Sequence, residues 1–257
     1  MIDTPLARHW FMHTAHAAVG LAAAAKQRTF QAPPPPLPTA EPRETRTLRI
    51  GLIAGAEAAW DLAAAQLIEH LRNDERLEVR LAWDGAESGI EDRLDYDCLV
   101  LLGWPAATSR ERLKRIELHV RGGGSLVALR AMHAELPGWS SFAEDVFGGR
   151  QPSGNRCRLH EVDRSDSAWH HPVLDGVRPM IAEGEVYEGP RFSPETNVLL
   201  MAYGDDQPRP VAWTRRHRGG RVVASTLGVD DDFREPNFLH LLGNAIHWAG
   251  LVRGSAI

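Results

Sequence analysis

Gly122-Gly123-Gly124-Ser125-Leu126-Val127-Ala128-Leu129-Arg130 is the stretch that decides the fold. Leu126 to Leu129 is apolar without alternation, as a strand covered on both faces must be. Three glycines stop the element before it, and Arg130 leaves the strand at its carboxyl end. Tyr96-Asp97-Cys98-Leu99-Val100-Leu101-Leu102 is a second, nearly all-apolar run of the same kind. Between the two, Thr108 or Ser109 can cap a helix that continues through Arg121, with Leu113, Ile116 and Val120 supporting it.

Working outward toward the amino terminus, Leu48 to Ala54 is a short apolar run ending in Gly55. A helical pattern follows from Ala58 to Arg72, with Leu62, Leu67, Ile68 and Leu71 read as one face. Leu77 to Trp83 alternates like a strand. Strands that alternate with helices imply right-handed crossovers and a mainly parallel sheet. The second half reads differently. Cys157 to Val162, Ile181 to Tyr187, Asn197 to Ala202, Pro210 to Thr214 and Arg221 to Leu227 are short strand candidates, and Arg218-Gly219-Gly220 fits a hairpin loop between the last two. Glu235-Pro236-Asn237 then starts a closing helix that carries Phe238, Leu241, Leu242, Ala245, Ile246 and Trp248 at helical spacing. There is no internal repeat.

With 257 residues and 43% hydrophobic content the chain can bury a sizeable core without staples. Its net charge of −5 argues against a protein that grips phosphate backbones, so no nucleic-acid partner is expected. The basic group Arg215-Arg216-His217-Arg218 with Arg221 reads as a charged hairpin tip. Cys98 and Cys157 have no metal-ligand or redox spacing, and Cys98 reads as a small core residue. No cofactor and no metal are expected: Asp230-Asp231-Asp232 has the look of solvated loop carboxylates, and His170-His171 that of a turn entering Pro172.

Residues 1–47 stand apart from a domain spanning 48–250, with 251–257 as a short tail. Arg8-His9, the Ala- and Gly-rich middle and small residues at Ala22-Ala23-Ala24 outline an export signal. Ala7 to Met12 is similar to a twin-arginine motif with His9 in place of the second arginine. Export to the periplasm is one expectation, and a cytoplasmic protein with an unaddressed leader the other. The stretch is too short, and too interrupted by His13 and His16, for a stable membrane span. Pro33-Pro34-Pro35-Pro36-Leu37-Pro38 is a stiff spacer that marks the domain boundary.

Three stretches together resemble the ThuA-like, trehalose-utilisation family. The first is Gly122 to Ala134 with Trp139-Ser140-Ser141-Phe142 and Val146 to Gly149; the second is His171 to Val177 followed by Gly184 to Tyr187. The third is Pro210 to Thr214, Gly219 to Gly228, Asp232-Phe233 and Asn244 to Ala249. The resemblance implies an α/β fold, flavodoxin-like: the three-layer sandwich of class I glutamine amidotransferases with a mainly parallel central sheet. It also implies a link to sugar metabolism. An amidotransferase of this fold would carry its nucleophilic cysteine at about Arg130, and a guanidinium cannot attack a carbonyl, so glutaminase chemistry by that route is not expected. The sequence departs from many family members in having Arg130 for histidine and Val229 for the histidine after the last strand. No phosphate-binding loop of Ser and Thr follows the first strand, where Gly55 to Ala59 stands, which disfavours a flavodoxin-like electron carrier.

Ligands of open parallel sheets sit at the carboxyl ends of strands. Arg130 there can hold a carboxylate, phosphate or sugar hydroxyl through its fork of donors, and His133 can serve as general base or hydrogen-bond partner. Glu185 and Tyr187 match the family's Glu-x-Tyr element, a carboxylate beside an aromatic surface that suits a sugar ring. The expected site therefore has His133 and Glu185 in catalytic roles and Arg130, Tyr187 and Asp230 on the ligand. The expected partner is a small carbohydrate or other polar small molecule. The rival expectation is a catalytically inert ligand- or partner-binding domain of the same fold.

Overall fold

The computed structural model describes residues 46–55, 58–81, 96–104, 110–149, 156–158, 161–165, 168, 170–181, 185–187, 192–203, 208–228 and 231–251. Of residues 58–59, 156–158, 161 and 185–187 it describes the backbone alone. The leader, the polyproline spacer, Val229 and Asp230 lie outside the described residues.

The strands are β1 (Leu48–Ala54), β2 (Leu77–Leu81), β3 (Cys98–Leu102), β4 (Ser125–Leu129), β5 (Arg156–Arg158), β6 (Glu161–Arg164), β7 (Glu185–Tyr187), β8 (Asn197–Tyr203), β9 (Arg209–His217) and β10 (Gly220–Ser225). The helices are α1 (Ala58–Leu71), α2 (Arg110–Arg121), α3 (Phe142–Phe147) and α4 (Pro236–Gly250). Eight strands form one sheet in the order β2-β1-β3-β4-β10-β9-β8-β6, and β5 pairs with β7 in a separate ribbon. The first five in that order are parallel, whereas β9, β8 and β6 extend the sheet by antiparallel pairing. This is the α/β, flavodoxin-like sandwich with a mainly parallel sheet that the resemblance implies.

Every residue of β3 and β4 is buried, so both runs are covered on two faces. Alternate side chains divide between two cores. Leu48, Ile50, Leu52, Val100, Leu102, Val127 and Leu129 pack with α1 and α4; Ile53, Leu99, Leu101, Leu126 and Ala128 pack with α2 and α3. The closing helix starts as its sequence predicts: Pro236 occupies the first turn, and the Glu235 side chain accepts from the Asn237 amide at 3.0 Å.

Two elements differ from expectation. The buried side of α1 is Ala63, Ala64, Leu67 and Leu71, while Leu62 is exposed; five residues of separation put Leu62 well off the Leu67 face at 3.6 residues per turn. The segment expected to run from Cys157 to Val162 is two strands in different sheets.

The glycines that delimit β4 and β10 have a common explanation at the amino-terminal edge of the sheet. A β-carbon on Gly123 would lie 2.4 Å from the Arg218 carbonyl oxygen, and one on Gly220 would lie 2.6 Å from the carbonyl oxygens of both Gly123 and Gly124. The two loops interlock, and only glycine permits the approach. Arg218 and Gly219, at φ +49° and +91°, form the two-residue turn that joins β9 to β10. The cations there are not all solvated. Arg215 Nη1 donates to the Glu144 carbonyl, and the His217 ring meets the Asp145 carbonyl at 3.1 Å, so two residues of one strand face cap the end of α3. Arg221 stacks over Trp248 and donates to its carbonyl at 2.5 Å.

Candidate functional site at the carboxyl edge of the sheet

The carboxyl edge is held by a stepped series of backbone bonds. The first residue beyond each of β1, β3, β4 and β10 donates its amide to the neighbouring strand: Gly55 to the Leu102 carbonyl at 2.8 Å, Gly103 to Leu129 at 3.0 Å, Arg130 to Ser225 at 2.8 Å and Thr226 to Val211 at 2.9 Å. These amides are satisfied within the protein.

Arg130 leaves β4 at φ +52°, a left-handed conformation that costs a residue with a β-carbon about 1–2 kcal/mol. Strain of this kind concentrates at functional sites. No helix follows directly. Residues 131–141 form turns, and α3 begins only at Phe142. Ala131, Met132, Ala134 and Leu136 are anchored in the core, and the Ala134 amide closes a turn on the Ala131 carbonyl at 3.0 Å. That anchoring turns the intervening His133 outward. The protein flanking its ring, and then the positive charge of Arg130, hold the His133 pKa below its ordinary value. The two residues therefore feel each other, and His133 stays a neutral acceptor at pH 7.

Thr226 stands next to Ser225, the acceptor for the Arg130 amide. It is 2% exposed, and its hydroxyl has no hydrogen-bond partner among the described residues. Beyond it, Gly228 donates its amide to the Asp232 carboxylate. Asp232 is buried, whereas Asp231 pairs with Arg234 at 2.7 Å on the surface. The expectation of three solvated carboxylates thus fails at Asp232, whose carboxylate closes the turn after β10.

The switch in strand order lies between β1 and β3, where Trp60 of α1 occupies the crevice. A β-carbon on Gly55 would lie 2.8 Å from the indole, and one on Gly103 would lie 2.5 Å from it. Gly103 has φ +71° and is followed by Trp104, which stacks against Phe142 at 5.7 Å between centroids. Sequence reading passed over both tryptophans, although a glycine at the end of each of two neighbouring strands was a visible sign that something large approaches the backbone.

Glu185 and Tyr187 lie on β7, paired with Arg158 and Arg156 of β5. Their side chains, like Asp230, are outside the described residues. Cys98 is fully buried at the opposite end of β3, four residues from Leu102 and so roughly 13 Å along the strand. Burial pushes its thiol pKa far up, the reverse of what a nucleophile requires. His171 accepts from the Val173 amide at 3.2 Å, which is the turn-capping role expected before Pro172. A separate groove of about 730 Å³ runs along α2 beside Pro137 and Gly138. Its Glu117 carboxylate is already held by Lys114 at 2.9 Å and Arg121 at 2.7 Å. Among the described residues no three His, Cys, Asp or Glu side chains gather as metal ligands, and no helix is long and apolar enough to cross a membrane.

Comparison with solved structures agrees with this architecture. A ThuA-like protein from Parabacteroides merdae superposes with a TM-score of 0.62 at 19% identity, covering 80% of this chain and 90% of that one. A ThuA-like protein from Bacteroides uniformis gives 0.61 at 18% identity, covering 82% and 94%. PurLQS from Thermotoga maritima gives 0.52 at 11% identity, covering 79% and 99%. No curated protein matches the chain. The family model described as ThuA, trehalose utilisation, matches residues 54–249, most of the domain, and the chain belongs to that family.

Proposed function

We propose that this protein binds or acts on a small carbohydrate at the carboxyl edge of its sheet, without glutaminase chemistry. The observation that carries the proposal is Arg130, held in a left-handed conformation at the end of a central strand with a neutral His133 beside it. A forked donor and a neutral acceptor suit a ligand rich in hydroxyls. The buried Thr226 hydroxyl adds a donor and acceptor to the same edge. Glu185, Tyr187 and Asp230 complete the proposed site, with His133 and Glu185 as acid–base groups. The family description, trehalose utilisation, supports the substrate class.

Two features speak against amide hydrolysis at this edge. An arginine stands where the nucleophile would be, and the amides of Gly55, Gly103, Arg130 and Thr226 already bond to neighbouring strands and are not free for an oxyanion. The raised pKa of the buried Cys98 thiol also supports the second reading, an inert binding domain of the same fold.

The experiment is calorimetric titration of the full chain with a panel of mono- and disaccharides, alongside a glutaminase assay. Arg130→Ala is expected to lose sugar binding while keeping its circular dichroism spectrum, and no ammonia is expected from glutamine. Binding unchanged in Arg130→Ala, or glutamine hydrolysis by the wild type, would refute the proposal.

A further inference from the structure

The Trp60 crevice lies one strand away from Arg130 and has no assigned role. Two features of the backbone are built around this indole. Gly55 and Gly103 close β1 and β3, and a β-carbon on either would collide with the ring, at 2.8 Å and 2.5 Å. Open α/β sheets receive their ligands at this switch in strand order. Here the chain's own aromatic ring fills the floor of the crevice, packed on the α1/α4 core but only half-buried. Trp104, also half-buried, follows Gly103 and packs on the opposite core, so the carboxyl end of β3 carries an indole toward each face of the sheet. The β1/β3 crevice is about one and a half strand spacings from β4, roughly 7 Å. A ligand resting over the crevice can therefore reach the carboxyl end of β4, where Arg130 leaves the strand.

We infer that Trp60 is the stacking platform of the site: one pyranose ring lies on the Trp60 indole in the β1/β3 crevice while Arg130, at the end of the next strand, holds hydroxyls of the same molecule. The inference rests on the carbohydrate reading above and adds the residue that recognises the ring's apolar face. An indole supplies that face at little entropic cost, because it is already fixed by the two glycines it covers. The ligand class is a sugar of at least one intact pyranose ring, and a disaccharide such as trehalose spans both parts. Open-chain polyols, which offer hydroxyls but no flat apolar face, should bind poorly.

The test uses the full chain with trehalose, methyl α-glucopyranoside and sorbitol as probes. Wild type is expected to bind the two pyranosides in preference to sorbitol. Trp60→Ala should weaken pyranoside binding at least tenfold, Trp60→Phe should stay within about threefold, and Arg130→Ala should lose binding. Pyranoside binding that survives Trp60→Ala but is lost in Arg130→Ala would overturn the platform and leave the carbohydrate reading standing. No pyranoside binding by wild type, or full binding by Arg130→Ala, would bring down that reading and the platform with it. A readout free of folding defects comes from 5-fluorotryptophan labelling of the eight indoles. The fluorine resonance that disappears in Trp60→Phe must shift when wild type is saturated with trehalose, and an unmoved resonance overturns the inference.

Discussion

The amide of Gly228 donates to the carboxylate of Asp232 at 2.7 Å, in a site where Asp232 is 4% exposed. The bond closes the turn that leads from β10 toward α4. Gly228 sits at φ +110° with the Leu129 side chain 3.2 Å from where its β-carbon would be, so the glycine end of the turn is crowded. Removing the acceptor strands a buried donor, which costs about 1–3 kcal/mol. Asp232→Ala should lower the urea midpoint accordingly, and Asp232→Asn, which keeps one oxygen, should recover part of the loss. A midpoint unchanged in Asp232→Ala would show that the turn is held by other contacts.

The interlocked glycines at the opposite edge make a graded prediction. Gly123 combines φ +78° with a carbonyl oxygen 2.4 Å from its would-be β-carbon, whereas Gly219, at φ +91°, faces open space. Gly219→Ala pays only for its backbone conformation, about 1–2 kcal/mol. Gly123→Ala adds a steric clash, and should lose more than about 2 kcal/mol. Gly220→Ala isolates the clash, because its β-carbon would meet two carbonyl oxygens at 2.6 Å. Thermal melts should rank Gly219→Ala above Gly123→Ala. Equal midpoints for the two would mean that the loops separate easily and are not interlocked.

The same glycines show what a single sequence discloses. Gly122-Gly123-Gly124 was legible as a stop before a buried strand, and β3 and β4 were legible because burial on both faces removes alternation. Which backbone the glycines would touch was not, since that depends on a hairpin about a hundred residues away. The carboxyl edge divides similarly. Arg130 and His133 are three residues apart, and their proximity follows from local geometry. Trp60 reaches the edge only because α1 lies across two strands, and no spacing in the sequence records that. Asp232 was misread because adjacent carboxylates share a composition while only one of them turns inward. Arg215 and His217 read in the sequence as part of a charged hairpin tip, and their alternation on β9 aims both at the carbonyls of α3, which the sequence does not record.

Acid should destabilise this protein well before its carboxylates titrate. Loss of water around the ring is the leading cause of a lowered pKa at the enclosed His119, at the part-covered His171 and His217 and, more weakly, at His70 and His133, which keep exposed surface; the ordinary value is 6.5. Neighbouring positive charge deepens the effect at His133 from Arg130, at His171 from Arg221 and at His217 from Arg215. In the unfolded chain each of these rings takes up a proton near pH 6.5. In the folded protein protonation waits for a lower pH. The unfolded state then binds more protons, so stability is fully present above pH 6.5 and declines as the pH falls through the folded values. Asp74, Glu117 and Asp145 have pKa values held below the ordinary carboxylate range by hydrogen bonds from Arg76, Lys114 and Trp139 respectively. Their contribution is lost only below about pH 4, which leaves pH 5 to 6.5 to the histidines. His119 is the most enclosed of the five, with Nε2 2.9 Å from the Ser125 carbonyl and its ring against Gly124. Urea unfolding measured from pH 8 to pH 5 should show a flat region and then a fall, and His119→Gln should flatten the fall while lowering stability at pH 8. A stability that rises on acidification across this window would mean that the rings gain, not lose, protonated partners on folding.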